Sequence, residues 1–113
     1  MKIVTTTTND RKTLYQMTKG ANISRIQDNE GKTITVADYV VYEDTKSNGD
    51  TMVILSIKDE SGEIFATNSP TFKEAFYDIS VICGEPSDMV GEKVKIEAGT
   101  SKAGRKFFTC SWA

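Results

Sequence analysis

The chain has 113 residues, with 14 Lys+Arg, 16 Asp+Glu and no histidine, for a formal net charge of −2. That length suits one domain with one modest core. The missing imidazole excludes a histidine general base, a nucleophilic triad of the usual kind and any His-ligated metal, and no apolar run approaches the ~20 residues of a membrane span.

Residues 1–9 are polar, carry four consecutive threonines and read as an extended or frayed leader. Asp10 is placed to cap a short helix reaching Lys19, with Leu14 and Met17 on one side and Gly20 as its stop. From Lys32 the period changes to two. Thr33 to Tyr42 is rich in β-branched and aromatic residues and predicts a strand. Asn48-Gly49 marks a turn, and Thr51 to Lys58 predicts a second strand with Val53, Leu55 and Ile57 on one face. Asp59 to Gly62 turns the chain into a third strand over Glu63 to Thr67.

A helix is expected next. Thr71-x-x-Glu74 has capping-box spacing, and Phe72, Ala75, Phe76, Ile79, Ile82 and Cys83 form one apolar stripe of period 3.6. Gly84 and Pro86 stop it. Glu92 to Ala98 alternates strictly, with Val94 and Ile96 inward, and Gly99 to Gly104 reads as a flexible tip. Arg105 to Trp112 returns, with Phe108, Cys110 and Trp112 on one face and Phe107, Thr109 and Ser111 on the other. Three strands, a helix and a closing hairpin is the order of the five-stranded OB-fold barrel, an all-β fold with one helix. A small α+β sandwich, its helix flat on an open sheet, has the same order. Residues 25–113 are expected to form the OB-fold domain, and residues 1–24 a leader with a short helix.

The net charge conceals a pattern. Residues 1–25 hold five cations against Asp10 alone, and residues 93–106 hold five against Glu97 alone, so the middle of the chain is acidic. Cys83 and Cys110 lack the spacing of a zinc or redox pair and are expected as free thiols. The N-terminal MKIVTTTTND has no apolar stretch of the signal-peptide kind, so a reducing compartment is expected. Neither a D-x-D-x-D-G loop, a Walker loop nor a G-x-S-x-G elbow is present, and no enzyme is expected.

OB-folds bind nucleic acid by stacking bases on rings while cations follow the phosphates. Lys102, Arg105 and Lys106 surround the glycine-flanked tip, and Phe107 follows directly. Tyr39 and Tyr42 on the first strand, Lys58 on the second and Phe65 on the third complete a candidate groove. Tyrosine and phenylalanine on strands are core residues more often than platforms, Phe107 suits either role, and the sequence does not tell which strand face is outside.

Gly31-Lys32-Thr33-Ile34-Thr35-Val36, Ile57-Lys58-Asp59, Gly62 to Ser69, the helix from Phe72 and Ser101 to Phe108 together resemble the small single-stranded-DNA-binding proteins of tailed bacteriophages infecting Gram-positive bacteria. Leu14-Tyr15-x-Met17-Thr18-x-Gly20 resembles their helical leader. The resemblance implies an OB-type fold, no cofactor, and sequence-tolerant binding of single-stranded DNA during phage DNA replication. It also implies a place in the cytoplasm of the infected host, no membrane association, and replication proteins as further candidate partners. Unlike the bacterial single-strand-binding proteins, the chain ends at Trp112-Ala113 with no acidic tail, so recruitment through such a tail is not expected. A phage-encoded protein-binding module or inhibitor of a host enzyme is the alternative from another class.

Overall fold

A computed structural model describes residues 1–113. The protein is mostly β, a curled, half-barrel sheet with two helices. Its strands are β1 (Lys2–Thr6), β2 (Ile23–Arg25), β3 (Thr33–Thr45), β4 (Thr51–Asp59), β5 (Ile64–Thr67), β6 (Lys93–Thr100) and β7 (Lys106–Trp112). The helices are α1 (Arg11–Thr18) and α2 (Pro70–Cys83). The sheet runs β2-β5-β4-β3-β6-β7, with β1 also beside β3.

The long β3 organises everything else. β4 follows one edge along Val36–Thr45, whereas β6 pairs with Thr33–Thr35 and β1 with residues 40–43. A register shift between Val36 and Asp38 inserts Ala37 as an extra residue. Such a bulge bends a strand and strengthens its twist, which lets one strand serve two directions of sheet. β2 pairs in parallel with β5 and takes the edge of that strand, and β7 pairs with β6 alone, so the sheet stays open between β5 and β7. The start of α2 reaches β7 near that gap: the hydroxyls of Ser69 and Thr71 donate to the Phe108 carbonyl.

The inner face of the sheet carries the main core, 15 buried residues that include Ile34, Tyr39, Leu55, Phe65, Phe72, Phe76 and Ile96. α2 covers this face with Phe72, Phe76 and Ile79. Its N-cap is Ser69, whose hydroxyl accepts from Phe72 N at 3.4 Å, with Pro70 in the first turn. The expected Thr71–Glu74 box is therefore not the cap, because Pro70 lacks an N–H and suits the first helical position. Gly84 ends the helix at φ 116°, a conformation glycine tolerates. Ile82 was expected in the apolar stripe but is 71 % exposed, beside Val81 at 77 %. In the same last turn Cys83 packs against the main core, so Val81 and Ile82 are its solvent side.

Residues 1–24 are stitched to the same sheet. The threonine run supplies β1, and Thr7 then bonds to the bulge region through backbone and side chain: Thr7 N donates to Tyr39 O at 3.1 Å and Tyr39 N donates to Thr7 Oγ1 at 2.9 Å. Asp10 caps α1, accepting from Thr13 N at 2.9 Å. α1 lies on the outer face of the sheet, where Met17, Val40, Tyr42 and Ile64 form a second, smaller core.

Both cysteines are free thiols. Cys110 lies in the main core, and burial pushes its thiol up to about 12. An unfolded thiol ionises near pH 8.5, so above that pH the unfolded chain sheds a proton that the native state keeps, and stability falls as pH rises. Urea unfolding at successive pH values from 8 to 10 should show a loss of order 1 kcal/mol per pH unit above pH 8.5. Cys110→Ala should flatten that slope, and parallel curves for the two proteins would contradict the burial of this thiol.

Candidate nucleic-acid interface

Alternation along β6 and β7 sorts their side chains cleanly. Val94, Ile96 and Cys110 are buried on the inner face. Lys93, Lys95, Glu97 and Gly99 lie on the outer face with Phe107, Thr109 and Ser111, and cross-strand pairing sets Gly99 opposite Phe107 and Lys95 opposite Ser111. Thr33 and Thr35 of β3 continue the same face, opposite Lys95 and Lys93.

Gly99 was read as part of the tip but belongs to β6. A Cβ there would come within 2.6 Å of the Phe107 ring, so the ring lies across the bare glycine backbone. Phe107 is thereby seated on the outer face yet half-buried instead of covered. The turn beyond it is tight: Ser101 N donates to Arg105 O at 2.8 Å and Gly104, at φ 80°, donates to Ser101 O at 2.9 Å. Lys102 and Arg105 project from this turn, exposed. Lys93, Lys95, Lys102 and Arg105 pair with no carboxylate, since the three ion pairs of the protein involve Lys19, Lys32 and Lys106.

Of the candidates named from sequence, Phe107, Lys102 and Arg105 come together here. Lys106 does not. It leaves β7 on the opposite side from Phe107, its Nζ lies 2.8 Å from a Glu30 carboxylate oxygen, and it sits over the Phe108 ring at 5.3 Å. Lys58 is on the outer face of β4, half-buried and opposite Asp38 in the register, away from the β6–β7 hairpin that carries Phe107.

The three remaining rings are corrections. Tyr39 is 3 % exposed and meets Phe76 edge to face at 5.1 Å in the main core. Tyr42 does face outward, but α1 covers it: it is 4 % exposed, and its hydroxyl donates to Thr18 O at 3.3 Å. Phe65 is fully buried, with Lys32 Nζ 5.0 Å from its ring centre. None of the three can stack on a ligand in this structure. They are core because α2 covers the inner face over Tyr39 and Phe65, and α1 covers the outer face over Tyr42. Burial also pushes the Tyr39 and Tyr42 hydroxyls above their ordinary range.

Lys93 and Lys95 belong to the basic segment and join this face without standing among the candidates from sequence. Their alternation with Val94 and Ile96 is the signal that assigns them to the same face as Gly99.

A separate apolar cleft of about 440 Å³ lies between the inner face and the C-terminal half of α2, lined by Val4, Val41, Val53, Tyr77 and Val81 among others. Glu43 is its one charged wall, which does not suit phosphate. No group of His, Cys, Asp and Glu side chains suited to a metal occurs, and no helix is long and apolar enough to cross a membrane. Comparison with known proteins finds no matching family model, no similar curated protein and no similar solved structure.

Proposed function

We propose that this is a non-catalytic, sequence-tolerant single-stranded-DNA-binding protein on an OB-type partial barrel, in which β3, β4, β5, β6 and β7 are the five barrel strands and α2 lies between the third and fourth. The observation that carries the reading is the Phe107 ring seated on Gly99, on an outer face that also bears Lys93, Lys95 and Glu97 and adjoins the turn of Lys102 and Arg105, four cations without ion-pair partners. A half-exposed ring offers a π-face to any base, and unpaired cations on the same face follow a phosphate chain without reading sequence. With the resemblance described above, this supports protection of template strands during phage DNA replication, in the cytoplasm of the infected bacterium, with replication proteins as further partners. No cofactor enters this scheme.

Replacing Lys95, Lys102 and Arg105 together by alanine is expected to leave the melting temperature within a few degrees of the parent. The slope of log affinity for oligo-dT against log salt should flatten by about 2, at about 0.7 per lost phosphate contact on single strands. Phe107→Ala should weaken binding by about 1–3 kcal/mol with little change in slope. Gel-shift titrations at several salt concentrations, with a duplex of equal length as competitor, read both effects. Parental affinity and slope in the triple variant would overturn the assignment of this face.

The exposed Val81 and Ile82 beside the apolar cleft favour one second reading, a protein-binding module that docks on a host enzyme. A stoichiometric complex with one host protein, insensitive to salt and lost in Val81→Asp, would mark that function.

A further inference from the structure

Tyr15 is 64 % exposed, the most exposed aromatic ring in the protein. Trp112, the next at 46 %, is tied by its indole N–H to Glu92 Oε1 at 2.9 Å. Arg11 and Tyr15 stand four residues apart on α1, so their side chains are neighbours on one side of the helix. With Lys12 and Gln16 they frame a shallow concavity on its solvent side. Leu14, Met17 and Thr18 occupy the opposite side, against the sheet.

Both cations are unpaired. The nearest acid in sequence, Asp10, spends its carboxylate on the helix cap, accepting from Thr13 N and from Thr13 Oγ1 at 2.7 Å. α1 also lies on the outer face, the face that carries Phe107, and buries Tyr42 beneath it. The helix thus removes one ring from that face and presents another, flanked by two free cations.

We infer that the solvent side of α1 is a second single-strand contact, in which Tyr15 stacks on a base while Arg11 and Lys12 hold the flanking phosphates. This deepens the proposed function and rests on it. A strand engaging both Phe107 and Tyr15 gains by linkage, so the second contact is felt most on ligands long enough to reach both.

The test uses the full chain and oligo-dT of about 16 and about 4 nucleotides, the range of site sizes for such domains. Tyr15→Ala should weaken binding of the longer oligomer about tenfold, and Tyr15→Phe should restore parental affinity, because the ring and not the hydroxyl stacks. On the short oligomer the loss should be smaller. Arg11→Ala with Lys12→Ala should flatten the salt slope by about 1.4. Crosslinking to bromodeoxyuridine-substituted oligomer should label Tyr15 and Phe107.

Parental affinity in Tyr15→Ala, while Phe107→Ala remains weakened, would overturn this inference and leave the proposed function standing. Failure of the parent itself to bind oligo-dT would overturn both. Sedimentation of the parent with anionic-lipid vesicles, abolished by Tyr15→Ala without any change in oligo-dT binding, would assign the patch to a membrane surface and overturn the inference equally.

Discussion

Phe76→Ala is expected to lower the free energy of unfolding by about 3–5 kcal/mol, the usual cost of deleting a fully buried phenyl ring. Phe76 is completely buried, in the middle of the α2 stripe, and packs edge to face with Tyr39 at 5.1 Å between ring centres. Truncation removes the transfer energy of the ring and leaves a space that a half-barrel sheet with α2 across it cannot close by collapse. It also removes an aromatic pair worth about 0.5–1.5 kcal/mol beyond its buried area. A domain of this size has only about 5–15 kcal/mol in total. Urea denaturation followed by far-UV circular dichroism should show a much lower midpoint with an unchanged slope. A midpoint equal to the parent's would mean that α2 does not pack on the inner face through this residue.

Met17→Ala tests the other face. Met17 is fully buried, although it belongs to an eight-residue helix near the N-terminus. Isolated helices shorter than about 12 residues are marginal in water, so α1 exists because of what it covers. The side chain lies with Val40, Tyr42 and Ile64. The expected loss is about 2–5 kcal/mol, toward the low end because the cluster is small and near the surface. The manner of unfolding matters as much as the amount. If residues 1–24 are part of the cooperative unit, Met17→Ala lowers the single transition of the whole protein, and amides of β3 and β4 lose protection together with those of α1. If only α1 amides exchange faster while the global midpoint is unchanged, the segment is a docked leader whose loss the rest of the sheet survives.

Either result bears on binding. An α1 that opens without the rest would expose Tyr42 and Val40, and apparent affinity for single strands would then depend on the stability of the small core. An α1 that unfolds only with the sheet keeps that surface closed and leaves Phe107 and Tyr15 as the accessible rings of the outer face.

Local order was legible from the sequence wherever one physical preference acted alone. The two-residue period placed β3, β4 and the β6–β7 hairpin, the turn at Asn48-Gly49 separated β3 from β4, and the 3.6-residue stripe with Gly84 placed α2. Asp10 announced α1 because a short acceptor side chain satisfies N–H groups that no other local group can reach. The alternation in residues 92–98 also determined which side chains share a face, so the Lys93–Lys95 row was already implicit. Which face was outside, however, depends on what covers it, and that is a property of the assembled sheet. Helices cover both faces of the sheet where these rings stand, so Tyr39, Tyr42 and Phe65, which suited a platform by spacing, became core by coverage. The leader shows the same dependence. Its threonines have no strong pattern of their own, and β1 forms because β3 offers an unpaired edge. Gly99 is the sharpest case: in sequence a glycine beside a basic tip reads as flexibility, and only the cross-strand register with Phe107 turns its missing side chain into the seat of a ring. Sequence determines periodicity and local chemistry, whereas burial and register arise from long-range contacts, and the candidate interface is made of those.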